Sequence, residues 1–487
     1  PIHINKAMSM NLEMVGKKFE LMSLYGGWGF EGQKSKIKLD HNIIVIDSKT
    51  GNSSHRHNPF FMLKAKDATY NTGNVYSFNL LYSGNHYEMV ERSSFDKVRI
   101  QHGINPYCFK YEVRQNEIFE SPFAILTFSS NGINGASQNM HGFVSEHILN
   151  KAHKNTCAPI LINNWEATYM KFKESTLHAI INNAKDLNLE MFVLDDGWFG
   201  RRTDDTKGLG DYDVNMKKLH RGLKGISEYT NKKGLKFGLW LEPGRTSKQS
   251  NAIKEHPDYY LNEMLLDFAN EKAREFILNK TFDVIKKYNV SWIKFDFNVT
   301  LGEDVLGTSF DSYATGLKLY VKEIRKAYPN IYITCCGAGG FMCDISSLEW
   351  SDSFWPTDNQ GPIQGLRIYK DFIKRLPSYS FEKWDVRTFI NSIPDVFNGG
   401  RKINVSVNTN NGMWTNLVGL DDAFTFNFLN GGVMGFSTDI ASFPQEYKDK
   451  FKDLISAYKK EREFYLDFFY ENYLRVWIKM CYFAVEF

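Results

Sequence analysis

Residues 271–297 read EKAREFILNKTFDVIKKYNVSWIKFDF. An amphipathic helical pattern (271–289) runs directly into a short apolar strand, VSWIKFDF (290–297), with an acid, Asp296, next to its end. One helix and one strand fit many folds; repetition narrows the choice. Upstream, PILINNW (159–165), KESTLHAIINNAKDLN (173–188) and EMFVLDDGW (190–198) repeat the rhythm, followed by HRGLKGISEYTNKKG (220–234) and KFGLWLEP (236–243). Downstream, DSYATGLKLYVKEIRKAYP (311–329) leads to NIYITCC (330–336). Short apolar runs alternating with amphipathic helices imply βα units and a parallel sheet. Roughly seven or eight units are counted through VMGFSTDI (433–440), which favours an α/β (β/α)8 TIM barrel over a doubly wound sheet.

Before about residue 150 the rhythm is different. IIVID (43–47), NVYSFNLLYSG (74–84), KVRIQHG (97–103) and FAILTFSS (123–130) are β-branched and aromatic, with Gly, Asn and Ser between them. That pattern predicts an antiparallel β-sandwich or barrel and no helix. The expected organisation is an N-terminal β-sandwich domain over 1–150, a catalytic (β/α)8 barrel over 155–470 and an atypical tail over 471–487.

The chain has 487 residues and a formal charge of +3, with no Lys/Arg stripe. This argues against nucleic acid or an anionic membrane as partner. Cys108, Cys157, Cys335, Cys336, Cys343 and Cys481 form no CxxC pair and no zinc-site spacing, so reduced thiols and no metal are expected. No signal-like N-terminus and no apolar run of about 18–20 residues is present, which predicts a soluble, cytoplasmic protein. Because the first residue is Pro1, the natural start is expected upstream or altered.

In a barrel, chemistry sits where strands end at the βα loops. Here those ends carry Asn164 and Trp165; Asp195, Asp196 and Trp198; Trp240 and Glu242; Lys294, Asp296 and Asn298; Cys335 and Cys336; Trp355 and Asp358. One or two acids would serve as helix N-caps. Five acids and four tryptophans at one end call for a site. GxSxG, HExxH and GxGxxG are absent, so serine-hydrolase and nucleotide readings have no support. His55 and His57 lack nearby acidic ligands in sequence, and a surface or interface role is expected for them. The remaining carboxylates, lysine and indoles suit a sugar: one carboxylate attacks the anomeric carbon while a protonated one donates to the leaving oxygen.

The chain resembles glycoside hydrolase family 36, the retaining α-galactosidase and α-N-acetylgalactosaminidase family. The likeness runs from about residue 50 to 465, through SSHRHNPF (53–60), YSGN (82–85), GINP (103–106), SQNMH (137–141), NNWEATY (163–169), LDDGWFGRR (194–202), LGDY (209–212), FGLWLEP (237–243) and IKFDFN (293–298). The resemblance implies Asp296, in KFDFN, as nucleophile, and Asp358, in TDNQ, as acid/base. It implies Lys294 on a sugar hydroxyl, Asp195 and Asp196 on the 4- and 6-hydroxyls, Trp165 and Trp240 lining the pocket, and Cys336 and Gly339 beside C2. No cofactor is implied. The expected partner is an oligosaccharide or glycan with terminal α-galactose or α-N-acetylgalactosamine, with a homo-oligomer left open.

The sequence departs from the family around the pocket. EPE is EPG (242–244), a tryptophan is replaced by Phe295, the loop after the cysteine reads GAGGFMCD (337–344), an arginine expected between HPDYYL (256–261) and LLDFAN (265–270) is missing, and a histidine-bearing segment reads KINVSVNTNNG (402–412). Small side chains at Ala338 and its glycine neighbours suggest room for an acetamido group, hence a slight expected preference for α-N-acetylgalactosaminides. The N-terminal β domain is expected to be shortened and a C-terminal one missing; the ending YENYLRVWIKMCYFAVEF (470–487) suggests a packed tail, a frameshift or a truncation. A transglycosylase, or a sugar-binding homologue that has lost catalysis, are the competing readings.

Overall fold

The computed structural model describes residues 2–463 and 466, apart from 16–17, 55, 155, 263, 299, 303–308, 361 and 387–430. His55, Cys481, the segment 402–412 and the ending 470–487 lie outside the described residues. The N-terminal part is a sandwich of antiparallel sheets. In one, the order is Ala124–Ser129, Val75–Leu80, His57–Ala65, Phe19–Tyr25 and Gln33–Lys38. In the other it is Met8–Val15, Lys97–Ile104, His86–Arg92 and Ile43–Asp47. Strand alternation builds the core between them: Ile44 and Ile46 are buried while Ile43 and Val45 are 64% and 46% exposed. Leu21, Phe61, Leu63 and Phe78 meet Ile44, Val90, Val98 and Ile100 there.

The first sheet is buried on its other face too. Met22, Leu24, Phe60 and Met62 pack into the same cluster as the barrel and a helix at Gly132–Phe143. That helix contradicts the all-β expectation for this region. Its sequence, GINGASQNMHGF, is poor in helix formers, so propensity gives no signal. It forms because Ile133, Ala136 and Met140 fall on one face and bury completely against the sheet, a tertiary gain that outweighs propensity.

Eight parallel strands form the barrel: β1 (Leu161–Asn163), β2 (Met191–Leu194), β3 (Lys236–Leu241), β4 (Trp292–Phe295), β5 (Tyr332–Cys335), β6 (Ser353–Phe354), β7 (Glu382–Asp385) and β8 (Val433–Ser437). Their order is 6-5-4-3-2-1-8-7, and a single bridge between Phe354 and Phe381 joins the two edges. Side chains alternate along each strand. Leu161, Met191, Val193, Trp292, Tyr332 and Val433 fill the interior, whereas Ile162, Phe192, Phe237, Ile293, Ile333 and Phe436 face the helices. Continuing the inward set by two residues reaches Asp195 after Val193, Lys294 and Asp296 after Trp292, and Cys336 beyond Tyr332. Core becomes site by parity alone.

The sandwich grips the barrel near the C-terminal ends of its strands. Ser53 and Ser83 donate to the Asp344 carboxylate at 2.5 and 2.9 Å, and the Ser54 amide donates to Phe341 O at 2.9 Å. Asn85 accepts the Gly51 amide at 2.7 Å, which fixes the loop bearing those serines. Among the described residues, no helix is long and apolar enough to cross a membrane.

Candidate active site

Asp195 follows β2 and is fixed from four directions. Asn163 and Lys294 donate to Oδ2 at 2.6 and 3.1 Å, the Asp196 amide donates to Oδ1 at 2.8 Å, and its own amide donates to Asn164 Oδ1 at 2.8 Å. Asp196, 4% exposed, is held by Arg202, whose Nε and Nη2 donate to its two oxygens at 2.9 and 2.7 Å. Arg202 is itself 1% exposed and also reaches Asp205 at 2.8 Å. A bidentate buried pair of this kind fixes the carboxylate plane as well as its charge.

Lys294 is the central cation of the site. Its Nζ lies 5.0 Å from the Trp355 ring centroid and 5.2 Å from that of Trp384, in cation–π contact. Burial pulls its pKa down, but the carboxylates around it, Asp195 first and Asp296 with it, more than reverse that, and the ammonium is held well above its ordinary value. Asp296, two residues on, accepts the Trp240 indole N–H on Oδ2 at 3.2 Å and the Phe297 amide on Oδ1 at 3.0 Å. Cys336 is buried beside it; burial first, then the charge of Asp296, push the thiol well up, so it is a neutral S–H.

Asp358 lies in the loop after β6 and is partly exposed. Trp355 donates to its Oδ1 at 2.8 Å, and Trp28, from the N-terminal sandwich, donates to its Oδ2 at 2.7 Å. Desolvation raises this carboxyl, Asp296 adds to the rise, and the two indoles and Lys294 oppose it. The two carboxyls thus sit within electrostatic reach just beyond the ends of different strands and in different surroundings. Around them are further acids kept toward the neutral form by burial: Glu242 is pushed up to about 7, Glu166 to about 8 and Glu382 to about 7. Among the described residues, no group of three His, Cys, Asp or Glu side chains could hold a metal ion. His57 is partly buried on its strand, where its carbonyl contacts Nε2 of the buried His86 at 3.2 Å.

The structure brings Asp195, Asp196, Trp240, Lys294, Asp296, Cys336 and Asp358 into one connected region. Trp165 starts the short helix after β1, partly exposed, with Tyr169 edge-on at 5.2 Å. Gly339 (φ 80°) lies against Asp358 from the other side: a Cβ there would stand 3.1 Å from the Asp358 amide. Two strand-end aromatics take other parts. Trp198 is fully buried, donates to Trp240 O at 3.1 Å, meets Phe199 edge-on and stacks with Tyr212, so it supports the pocket wall from behind. Phe295 faces the helix layer against Tyr320, so its replacement of tryptophan does not alter the pocket. Gly244, where the family has an acid, has Phe297, Tyr313 and Phe268 within 3.4 Å of its Cβ direction. Sequence reasoning missed Trp28, Glu31 and Arg202; of these only the GGWGFE turn (26–31), an indole among glycines in a β region, offers a local signal.

Residues 118–395 match the Melibiase family and residues 1–114 match the glycosyl hydrolase family 36 N-terminal domain. The chain is 33% identical over 485 residues to alpha-galactosidase Mel36A of Lactobacillus acidophilus, covering 95% of this chain and 63% of that protein. It is 34% identical over 384 residues to alpha-galactosidase AgaA of Geobacillus stearothermophilus, covering 75% and 52%. Among solved structures, the galactosidase domain of AgaSK superposes with a TM-score of 0.87 at 26% identity, over 96% of this chain and 63% of that one. A substituted AgaA in complex with raffinose gives 0.87 at 28% identity, over 96% and 64%. The chain therefore spans just under two thirds of Mel36A and of these solved chains. With a barrel whose strand ends carry these carboxylates and a sandwich that reaches into its mouth, the chain belongs to glycoside hydrolase family 36.

Proposed function

We propose that this protein is a retaining exo-α-galactosidase that removes terminal α-galactose from oligosaccharides of the raffinose type. The observation that carries the reading is the meeting of two carboxyls from different strand ends in one site. Asp296 lies near the Lys294 ammonium and accepts an indole and an amide N–H, which orient its oxygens as suits a nucleophile. Asp358 is raised by desolvation and by Asp296, as suits an acid that must arrive protonated.

In the first step an Asp296 oxygen bonds to the anomeric carbon as the glycosidic bond breaks, and the Asp358 proton goes to the leaving oxygen. In the second, Asp358, now a carboxylate, takes a proton from water as that water's oxygen displaces Asp296 from the sugar. Two inversions retain the configuration. Asp195 and Asp196 are pre-oriented by Asn163, Lys294 and Arg202, which equips them to bind the 4- and 6-hydroxyls. Trp165 and Trp240 would flank the ring, and Cys336 and Gly339 would lie beside C2.

The relatives named above are alpha-galactosidases, and none of the contacts at Cys336 or Gly339 favours an acetamido group. The reading therefore shifts from the N-acetylgalactosaminide preference to the galactoside. Hydrolysis of 4-nitrophenyl α-galactoside should exceed that of the α-N-acetylgalactosaminide by at least about 10-fold in kcat/KM, the scale on which pockets separate added groups. Proton NMR should show α-galactose as the first product. Equal or reversed rates would return the reading to the N-acetylgalactosaminide, and β-galactose as first product would exclude double displacement.

A further inference from the structure

The turn at residues 26–31 connects two strands of the N-terminal sandwich, Phe19–Tyr25 and Gln33–Lys38, yet it enters the barrel mouth. Asn359 Nδ2 donates to Gly29 O at 3.1 Å, and Trp28 donates to Asp358 at 2.7 Å. Within the turn, Glu31 is 3% exposed and accepts the Gly29 amide on Oε1 at 3.1 Å. Its carboxyl also meets the loop after β5. A Cβ at Gly339 would stand 2.5 Å from Glu31 Oε1, and one at Gly340 would stand 3.3 Å from Glu31 Cγ, so only glycine admits it there. One buried carboxyl therefore joins three segments: the turn bearing Trp28, the loop bearing Asp358 and the loop following Cys336.

We propose that Glu31 is a positioning residue for proton delivery by Asp358, acting through Trp28 and the 357–359 segment without touching the sugar. The inference rests on the functional reading above, in which Asp358 is the acid. Proton transfer depends on where the acid's oxygen stands relative to the glycosidic oxygen, and an error of about 1 Å can cost about 10²-fold. Two indoles hold the two Asp358 oxygens, and one of those indoles comes from a different domain. Glu31, packed against Gly339 and Gly340, together with the Asn359–Gly29 hydrogen bond, fixes that indole's turn to the barrel. Burial pushes its carboxyl up to about 8, against the opposing pulls of Thr357 and the Gly29 amide. At neutral pH it is thus an uncharged clamp that adds no second anion beside Asp358.

A general support of the domain junction would slow every substrate alike, whereas a role in proton delivery would not. Raffinose has a poor leaving group that must be protonated; 2,4-dinitrophenolate departs unaided. Glu31→Ala should lower kcat/KM, which reports the step in which the leaving group is protonated, about 30-fold on raffinose and less than about 3-fold on 2,4-dinitrophenyl α-galactoside, as loss of an oriented general acid predicts. Glu31→Asp, which shortens the clamp and keeps its hydrogen-bonding group, should show the same selectivity with a smaller loss and serves if the alanine variant does not fold. Glu31→Gln, neutral and of matching shape, should restore raffinose turnover to within about 3-fold of the parent. Equal losses on both substrates, or none on raffinose, would overturn the inference. A parent enzyme inactive on both would instead overturn the functional reading itself.

Discussion

Asp296→Asn is expected to lower kcat by about 10⁴-fold or more while galactose still binds, because no other carboxylate occupies the nucleophile's place. The substitution keeps size and shape, so the pocket stays formed. It does not keep the hydrogen bonds. Asp296 accepts from the Phe297 amide and from the Trp240 indole, and an asparagine has one acceptor for two donors. The amide oxygen will turn toward Phe297 N–H, the shorter contact, leaving its NH₂ facing the Trp240 N–H. That mismatch costs about 1–3 kcal/mol of local stability, the scale for an unsatisfied buried donor. Turnover and calorimetric galactose binding, measured on one preparation, separate the two effects. Residual turnover within tenfold of the parent removes Asp296 as nucleophile; loss of binding along with turnover shows that the charge also holds the sugar.

The strand-to-site logic was legible in the sequence because it is local. Inward parity carries Val193 to Asp195 and Trp292 to Lys294 and Asp296, and a period of two needs no knowledge of neighbours. The helix at Gly132–Phe143 was not legible, since its stability comes from a sheet that the sequence does not show beside it. Nor could Trp28 be placed: it meets Asp358 across 330 residues of chain, and only the docking of sandwich on barrel makes that contact. Protonation states were equally hidden. Glu31, Glu166, Glu242 and Glu382 read as ordinary acids, and burial above all, with a neighbouring carboxylate for the first three, pushes them toward neutrality. Phe295 shows the converse error: adjacency to Asp296 suggested the pocket, but odd spacing turns it toward the helices.

Lys294→Met should be the most damaging substitution for stability. Lys294 is 6% exposed and pairs with Asp195 at 3.1 Å; Asp296 also pushes its pKa upward. Methionine matches the stem but leaves Asp195 with one fewer donor and the buried anions with no cation. Breaking one side of a buried pair costs about 3–5 kcal/mol. Because the folded-state pKa lies above the unfolded value of about 10.4, the lysine's contribution is fully present below that pH and is lost only as pH climbs toward the folded value. At neutral pH the whole of it is therefore at stake. The deficit should also depend on pH in a definite direction. In the variant the uncompensated carboxylates can be relieved by protonation, so the gap in Tm from the parent should be widest near pH 7.5 and narrow as pH falls toward 5. Lys294→Arg separates charge from fit: the guanidinium restores a cation, but its planar fork is larger than the ammonium that sits 5.0 and 5.2 Å from two indole faces. It should recover part of the lost stability while kcat/KM stays depressed by about 10²-fold, the cost of a displaced oriented group. A Tm gap for Lys294→Met that is the same at pH 5 and pH 7.5 would mean that packing against Trp355 and Trp384, rather than charge, is what the lysine supplies.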